Sequence, residues 1–248
     1  MRFKGKKFVI TGGSRGIGRA IALLLAKEGA TVGINYLRNA TSAEETKRLV
    51  KEAGGEAYLY RANVGNLENI TEMFKKVESD MGELDGLVNN AVLGVLRPVD
   101  GFPEKGWELT MDTNAKAMLF CSQEAVKLMR RGGAIVSMSS IGSHHCLPGY
   151  AVLGASKAAI ETLTRYLALE LGPRGIRANA VSGGPVETDA LKTFPNYEDV
   201  VNHAKQHTPL GRMGTPEDLA KVVVWLLSED SYWVNGQVII VDGGLTLW

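Results

Sequence analysis

Short apolar runs alternate along the chain with longer segments whose apolar residues recur every three or four positions. The runs K-F-V-I-T (7–11), T-V-G-I-N (31–35), A-Y-L-Y (57–60), L-D-G-L-V-N (84–89), A-I-V-S-M (134–138), I-R-A-N-A-V (176–181) and Q-V-I-I-V (237–241) have strand length. They lack the polar alternation of a half-exposed sheet, which predicts strands buried on both faces and joined in parallel by helical crossovers. Helical spacing predicts helices over 19–28, 44–52, 70–78, a long run from Trp107 to Met129, 152–171 and 216–228. Trp107 and Phe120 in the long run are expected in the core. Strand–helix repetition to the C-terminus predicts an α/β fold: one doubly wound parallel sheet covered on both sides, a single domain over 1–248. One long irregular stretch, 187–213, interrupts the pattern. It is expected to form a substrate loop or lid, because open α/β sheets bind ligands at the carboxyl ends of their strands. A surface helical hairpin without a ligand role is the alternative.

Composition narrows the class. The 248 residues are 45% hydrophobic and 22% charged, enough for a full core. Net charge is +1, from 28 basic and 27 acidic side chains, which argues against nucleic acid as a partner. No apolar run approaches the roughly 18 residues of a membrane span. The start, M-R-F-K-G-K-K-F-V-I-T-G-G, lacks the apolar block of a signal peptide. Cys121 and Cys146 have neither metal nor redox spacing, so a cytoplasmic location is expected. His144 and His145 lack further ligands at suitable spacing, and no metal is expected.

The chemistry begins at T-G-G-S-R-G-I-G, Thr11 to Gly18, between the first strand and the first helix. Glycines let the backbone approach a pyrophosphate, and the helix N-terminus presents unpaired N–H groups with partial positive charge. Further marks follow in order: N-N-A (89–91), Asn114, S-M-S-S (137–140) and V-D-G-G (241–244). The spacing Gly12-x-x-x-Gly16-x-Gly18 and these marks resemble the short-chain dehydrogenase/reductase superfamily over essentially the whole chain. The family's N-N-A-G stands here as N-N-A-V, with Val92, a small change in packing near the cofactor.

The resemblance implies a nicotinamide cofactor held by Gly12, Ser14, Arg15, Gly16, Ile17 and Gly18. It places Asn63 and Val64 beside adenine, with Asn90 and Ala91 flanking the cofactor. Thr188 resembles the residue that contacts the nicotinamide carboxamide, and Pro185 and Val186 before it belong to the same cofactor site. A carboxylate after the second strand would bind the adenosine ribose and repel a 2′-phosphate. Here the segment reads I-N-Y-L-R, with no acid at its end. Arg38 and Arg15 suit bidentate phosphate contacts, so NADPH is the expected cofactor.

Near the chain's second half stands Y-A-V-L-G-A-S-K, Tyr150 to Lys157. The superfamily's usual pair is Tyr-x-x-x-Lys, but the residue four before Lys157 is Leu153. Tyr150 lies seven residues back, about 700° of helix and roughly 10 Å, so both side chains share a face. Pro148-Gly149 predicts that the helix begins near Tyr150. Tyr-x6-Lys resembles the enoyl-acyl-carrier-protein reductases, and A-V-S-G-G-P-V-E-T (180–188) is similar to theirs, most of all to the enoyl reductase III type. Reduction of a 2-enoyl thioester puts hydride on C3 while charge develops on the distant thioester oxygen. Tyr150 is therefore expected to donate a hydrogen bond to that oxygen, with the Lys157 cation favouring the ionised phenol. By resemblance Lys157 also holds the nicotinamide ribose, Ser140 orients the substrate, and Asn114 supports Lys157.

The expected activity is NADPH-dependent reduction of trans-2-enoyl thioesters, carried on acyl-carrier protein or CoA, in bacterial fatty-acid synthesis. A 3-oxoacyl or general carbonyl reductase, and a non-catalytic NADP(H)-binding regulator, remain alternatives. The resemblance further implies a homotetramer packed through helices 105–130 and 152–171.

Overall fold

A computed structural model of the chain describes residues 1–192 and 197–247. Seven strands form one sheet in which every neighbouring pair is parallel. They are β1 (Lys7–Ile10), β2 (Thr31–Tyr36), β3 (Glu56–Arg61), β4 (Gly86–Asn89), β5 (Gly133–Ser140), β6 (Ile176–Gly183) and β7 (Val238–Val241), in the order β3-β2-β1-β4-β5-β6-β7. The chain winds outward from β1 to β3, then returns to lay β4 against the other side of β1. That reversal opens a crevice at the carboxyl ends of β1 and β4, where open α/β sheets bind ligands.

Side chains alternate across the sheet with a period of two. Phe8 and Ile10 of β1 join one apolar cluster, which holds Leu25 of α1 (Gly16–Lys27), Val50 of α2 (Ala40–Glu52) and Val223 of α9 (Pro216–Leu227). Val9 between them faces the other cluster, with Phe74 of α3 (Leu67–Met81), Met118 of α5 (Ala117–Leu128) and Ile160 of α6 (Ala151–Leu171). Two layers of helix therefore cover a sheet buried on both faces. The apolar runs of β1, β2, β4, β5 and β6 owe their lack of polar alternation to this arrangement, whereas β7 at the sheet edge leaves Ile240 51% exposed.

Three expectations are corrected. The run Trp107–Met129 is not one regular helix. It comprises α4 (Glu104–Met111), a π-helical turn over Asp112–Lys116, and α5. Trp107 is 48% exposed, because α4 turns Gly106 and Thr110 inward and leaves Trp107 on the outer face; Phe120 is partly buried against the second cluster. The stretch 187–213 is also less irregular than expected. It contains α7 (Asp189–Lys192) and α8 (Tyr197–His207), whose Val201 and Ala204 face inward three residues apart; its residues 193–196 lie outside the described residues. Among the described residues, no helix is long and apolar enough to cross a membrane.

Candidate active site

The glycine loop after β1 is shaped by close backbone approach. Gly12 has φ +63°, and a Cβ there would stand 2.9 Å from the Ala91 Cα. A Cβ on Gly18 would lie 2.5 Å from the Gly12 carbonyl oxygen and 2.7 Å from Asn90 Nδ2. Asn90 Nδ2 donates to the carbonyls of Thr11 and Gly12, both at 3.0 Å, and the Thr11 hydroxyl accepts from the Asn90 and Ala91 amides. The loop after β4 is thus bolted to the loop after β1, across the crevice. Arg15 precedes α1 in an extended conformation and makes no side-chain cap to the first-turn N–H groups. Ile17 and Ser14 pack beneath, the Ser14 carbonyl accepting from Arg19 and from Thr46 Oγ1.

Side chains at Gly12 or Gly18 would collide with the Ala91 and Gly12 backbone, so the loop keeps the bare, close-packed form that suits a dinucleotide pyrophosphate at a strand–helix turn. Arg15 and Arg38 are exposed, and neither guanidinium is engaged in an ion pair among the described residues. A cavity of about 430 Å³ lies beside β3, with Tyr36, Leu37, Arg61 and Asn63 in its wall. Val64 is buried next to Asn63, whose Oδ1 accepts from the Gly65 amide at 3.0 Å. At the far end Pro185 and Val186 pair with Gly214, and the Thr188 methyl would meet a Cβ on Gly16 at 3.6 Å. The segment after β6 therefore closes over the glycine loop.

The catalytic candidates converge on the end of β5. Tyr150 caps α6, as Pro148-Gly149 predicts, and its hydroxyl lies 3.3 Å from Ser140 Oγ. Lys157 Nζ donates to the Met138 carbonyl at 2.8 Å. The two groups meet β5 two residues apart, about 6.6 Å of strand. Leu153, where the superfamily's usual tyrosine would stand, is buried against Gly94, whose added Cβ would touch its methyls at 3.0 Å. Leu153 is wall. Asn114, on the π-helical turn, donates to Ser156 Oγ at 2.9 Å and accepts from the Leu93 amide at 3.0 Å. It ties the loop after β4 to the residue preceding Lys157.

Electrostatics corrects one expectation. The Tyr150 phenol is pushed up, chiefly by burial, with the Ser140 hydrogen bond opposing. Burial outweighs any help from a cation, because the Lys157 ammonium turns to a carbonyl of β5. The phenol therefore keeps its proton and serves as a donor. Lys157 is pushed down to about 8 by burial, with the Glu161 carboxylate holding it up.

Two residues of the site escaped the sequence reading. Asn35, buried at the end of β2, accepts from the Gly12 amide and donates to the Tyr60 and Ala62 carbonyls. A polar residue closing the apolar run T-V-G-I-N was its only signal. Glu161 is buried on α6, and nothing in the helical run around it distinguishes it from a solvated acid.

Residues 12–246 match the model of a protein family described as Enoyl-(Acyl carrier protein) reductase. The chain is 39% identical over 241 residues to a 1-cyclohexenylcarbonyl-CoA reductase of Streptomyces collinus, covering 96% of this chain and 86% of that relative. It is 35% identical over 252 residues to the hydroxynaphthalene reductase-like protein Arp2 of Metarhizium guizhouense, covering 97% and 94%. Among solved structures, a short-chain dehydrogenase/reductase from Serratia marcescens superposes with a TM-score of 0.93 at 32% identity, covering 99% of this chain and 100% of that one.

Proposed function

Since the chain belongs to the short-chain dehydrogenase/reductase superfamily of nicotinamide-dependent oxidoreductases, we propose that it reduces trans-2-enoyl thioesters with NADPH. The observation that carries this reading is the position of the phenol. Tyr150 sits at the start of α6 on Ser140, and Leu153 occupies the nearer position with a buried aliphatic side chain.

When bound, the reduced nicotinamide supplies a hydride to C3 of the substrate. The electron pair of the conjugated double bond then moves to the thioester oxygen, and C2 takes a proton from solvent. Tyr150 donates its hydrogen bond to that oxygen, an oxyanion-hole role suited to a phenol that stays protonated. Ser140 Oγ orients the phenol from below. Lys157 holds the cofactor ribose, and its charge favours the developing enolate. Arg15 and Arg38 take the 2′-phosphate, while α7 and α8 border the acyl site. The name of the Streptomyces collinus relative describes a conjugated thioester, which supports the same substrate class.

A second reading, carbonyl reduction, is favoured by the Ser140–Tyr150 contact and by the hydroxynaphthalene reductase-like relative. Tyr150→Phe separates the roles of the phenol. It should bind NADPH as the wild type does and lose about 10²–10³ in kcat on an enoyl thioester. Wild-type turnover by that variant would remove Tyr150 from the mechanism.

A further inference from the structure

Glu161 lies one turn beyond Lys157 on α6 and is only 1% exposed. Its Oε1 accepts from Ser139 Oγ at 2.6 Å and lies 2.6 Å from Ser143 Oγ, which is also 2.8 Å from the Ser140 carbonyl. Its Oε2 is 2.7 Å from Nε2 of the exposed His144. Ser139 belongs to the end of β5, and Ser143 and His144 sit on the turn that follows it. Between them stand Ser140, which meets the Tyr150 hydroxyl, and Gly142, against whose α-carbon the Tyr150 ring rests.

A buried carboxylate is retained as an ion where donors satisfy its oxygens and a counter-charge offsets its desolvation. Here two serines and a histidine supply the donors. The counter-charge is Lys157, which is buried as well and has one carbonyl as its hydrogen-bond partner. Among the described residues, the Glu161 carboxylate one turn along α6 is the charge that holds Lys157 up against its burial. His144 on the turn faces Glu161, and Tyr150 joins the same turn through Ser140.

We propose that Glu161 is a positioning residue with two tasks: it keeps Lys157 an ammonium, and it anchors the segment 139–144, the end of β5 and the turn after it, so that Ser140 and Tyr150 meet. The proposal deepens the enoyl reductase reading and rests on it for the roles of Tyr150 and Lys157. The sign of its effect is fixed. Burial drives Lys157 towards the neutral amine, so removal of the carboxylate charge makes it lose its proton at a lower pH.

The test is the pH dependence of NADPH binding, followed by cofactor fluorescence, together with kcat on an enoyl thioester, for wild type, Glu161→Gln and Glu161→Asp. In Glu161→Gln the alkaline midpoint of binding should fall by about one pH unit or more, a tenfold change in proton affinity. Glu161→Asp keeps the charge but withdraws it from the turn. Its binding midpoint should stay near the wild-type value while kcat falls about tenfold or more. An unchanged midpoint in Glu161→Gln, or a midpoint in Glu161→Asp that falls as far as charge removal would take it, overturns the counter-charge role. Wild-type kcat in Glu161→Asp overturns the anchor. Should Glu161→Gln fail to fold, Glu161→Asp still decides both tasks. The binding arm uses no substrate, so absence of enoyl turnover by the wild type would sink the functional reading and leave this one to be judged separately.

Discussion

The ring of Tyr150 rests on the α-carbon of Gly142: a Cβ built there would stand 2.4 Å from the Tyr150 Cε1. Gly142 in turn sets its carbonyl oxygen 2.5 Å from where a Cβ on Gly154 would be. Two residues without side chains thus form the slot that admits a phenol at the head of α6. Gly142→Ala should push the ring off Ser140. The expected result is a kcat lowered about 10- to 100-fold with NADPH affinity unchanged, since a misplacement of about 1 Å costs that much. Unaltered kcat would mean that the ring's seat does not govern turnover.

Gly18 separates fold from cofactor. Its alanine variant would press on the Gly12 carbonyl and Asn90 Nδ2. Overpacking of this kind costs about 1–3 kcal/mol. A lower Tm and a weakened affinity for NADPH and NADH alike are expected, because the pyrophosphate cradle serves both. Calorimetry and cofactor titration check this.

Arg38 should discriminate between the cofactors. Arg38→Ala should weaken NADPH by about 1–3 kcal/mol, the worth of one charge-assisted contact, and leave NADH nearly unchanged. Equal losses for both would take the 2′-phosphate away from Arg38.

The pH profile follows from Lys157, pushed down to about 8. Below that value it is an ammonium and above it a neutral amine, so kcat/KM should fall as pH rises through about 8. Tyr150, pushed up by burial, keeps its proton over that window and adds no fall of its own. A profile flat to about pH 9.5 would contradict the role of the Lys157 charge.

How far the sequence carried these conclusions depended on how local each cause was. The strands were legible because burial on both faces leaves uninterrupted apolar runs, as in K-F-V-I. The start of α6 was legible because Pro148-Gly149 precedes it. The end of β5 lies beyond its apolar run, at S-M-S-S (137–140), where Ser139 and Ser140 are held in the strand by pairing with Ser182 and Gly183 of β6. Nothing in D-T-N-A-K signals a π turn, since the partners of Asn114 lie at Leu93 and Ser156. Glu161 looked solvated for the same reason. Its burial is decided by Ser139, Ser143 and His144, about twenty residues earlier in the chain. Trp107 erred the other way, as an aromatic that α4 turns outward.

The central claim is that the displaced tyrosine serves charge on a thioester oxygen remote from the carbon that accepts hydride. NADPH oxidation by the wild type, measured side by side with a trans-2-enoyl thioester and a 3-oxoacyl thioester of equal chain length, tests it most directly. The account predicts turnover of the enoyl thioester and much slower reaction of the 3-oxoacyl compound. Brisk 3-oxoacyl reduction without enoyl turnover, or NADPH binding with no turnover of either, would contradict it.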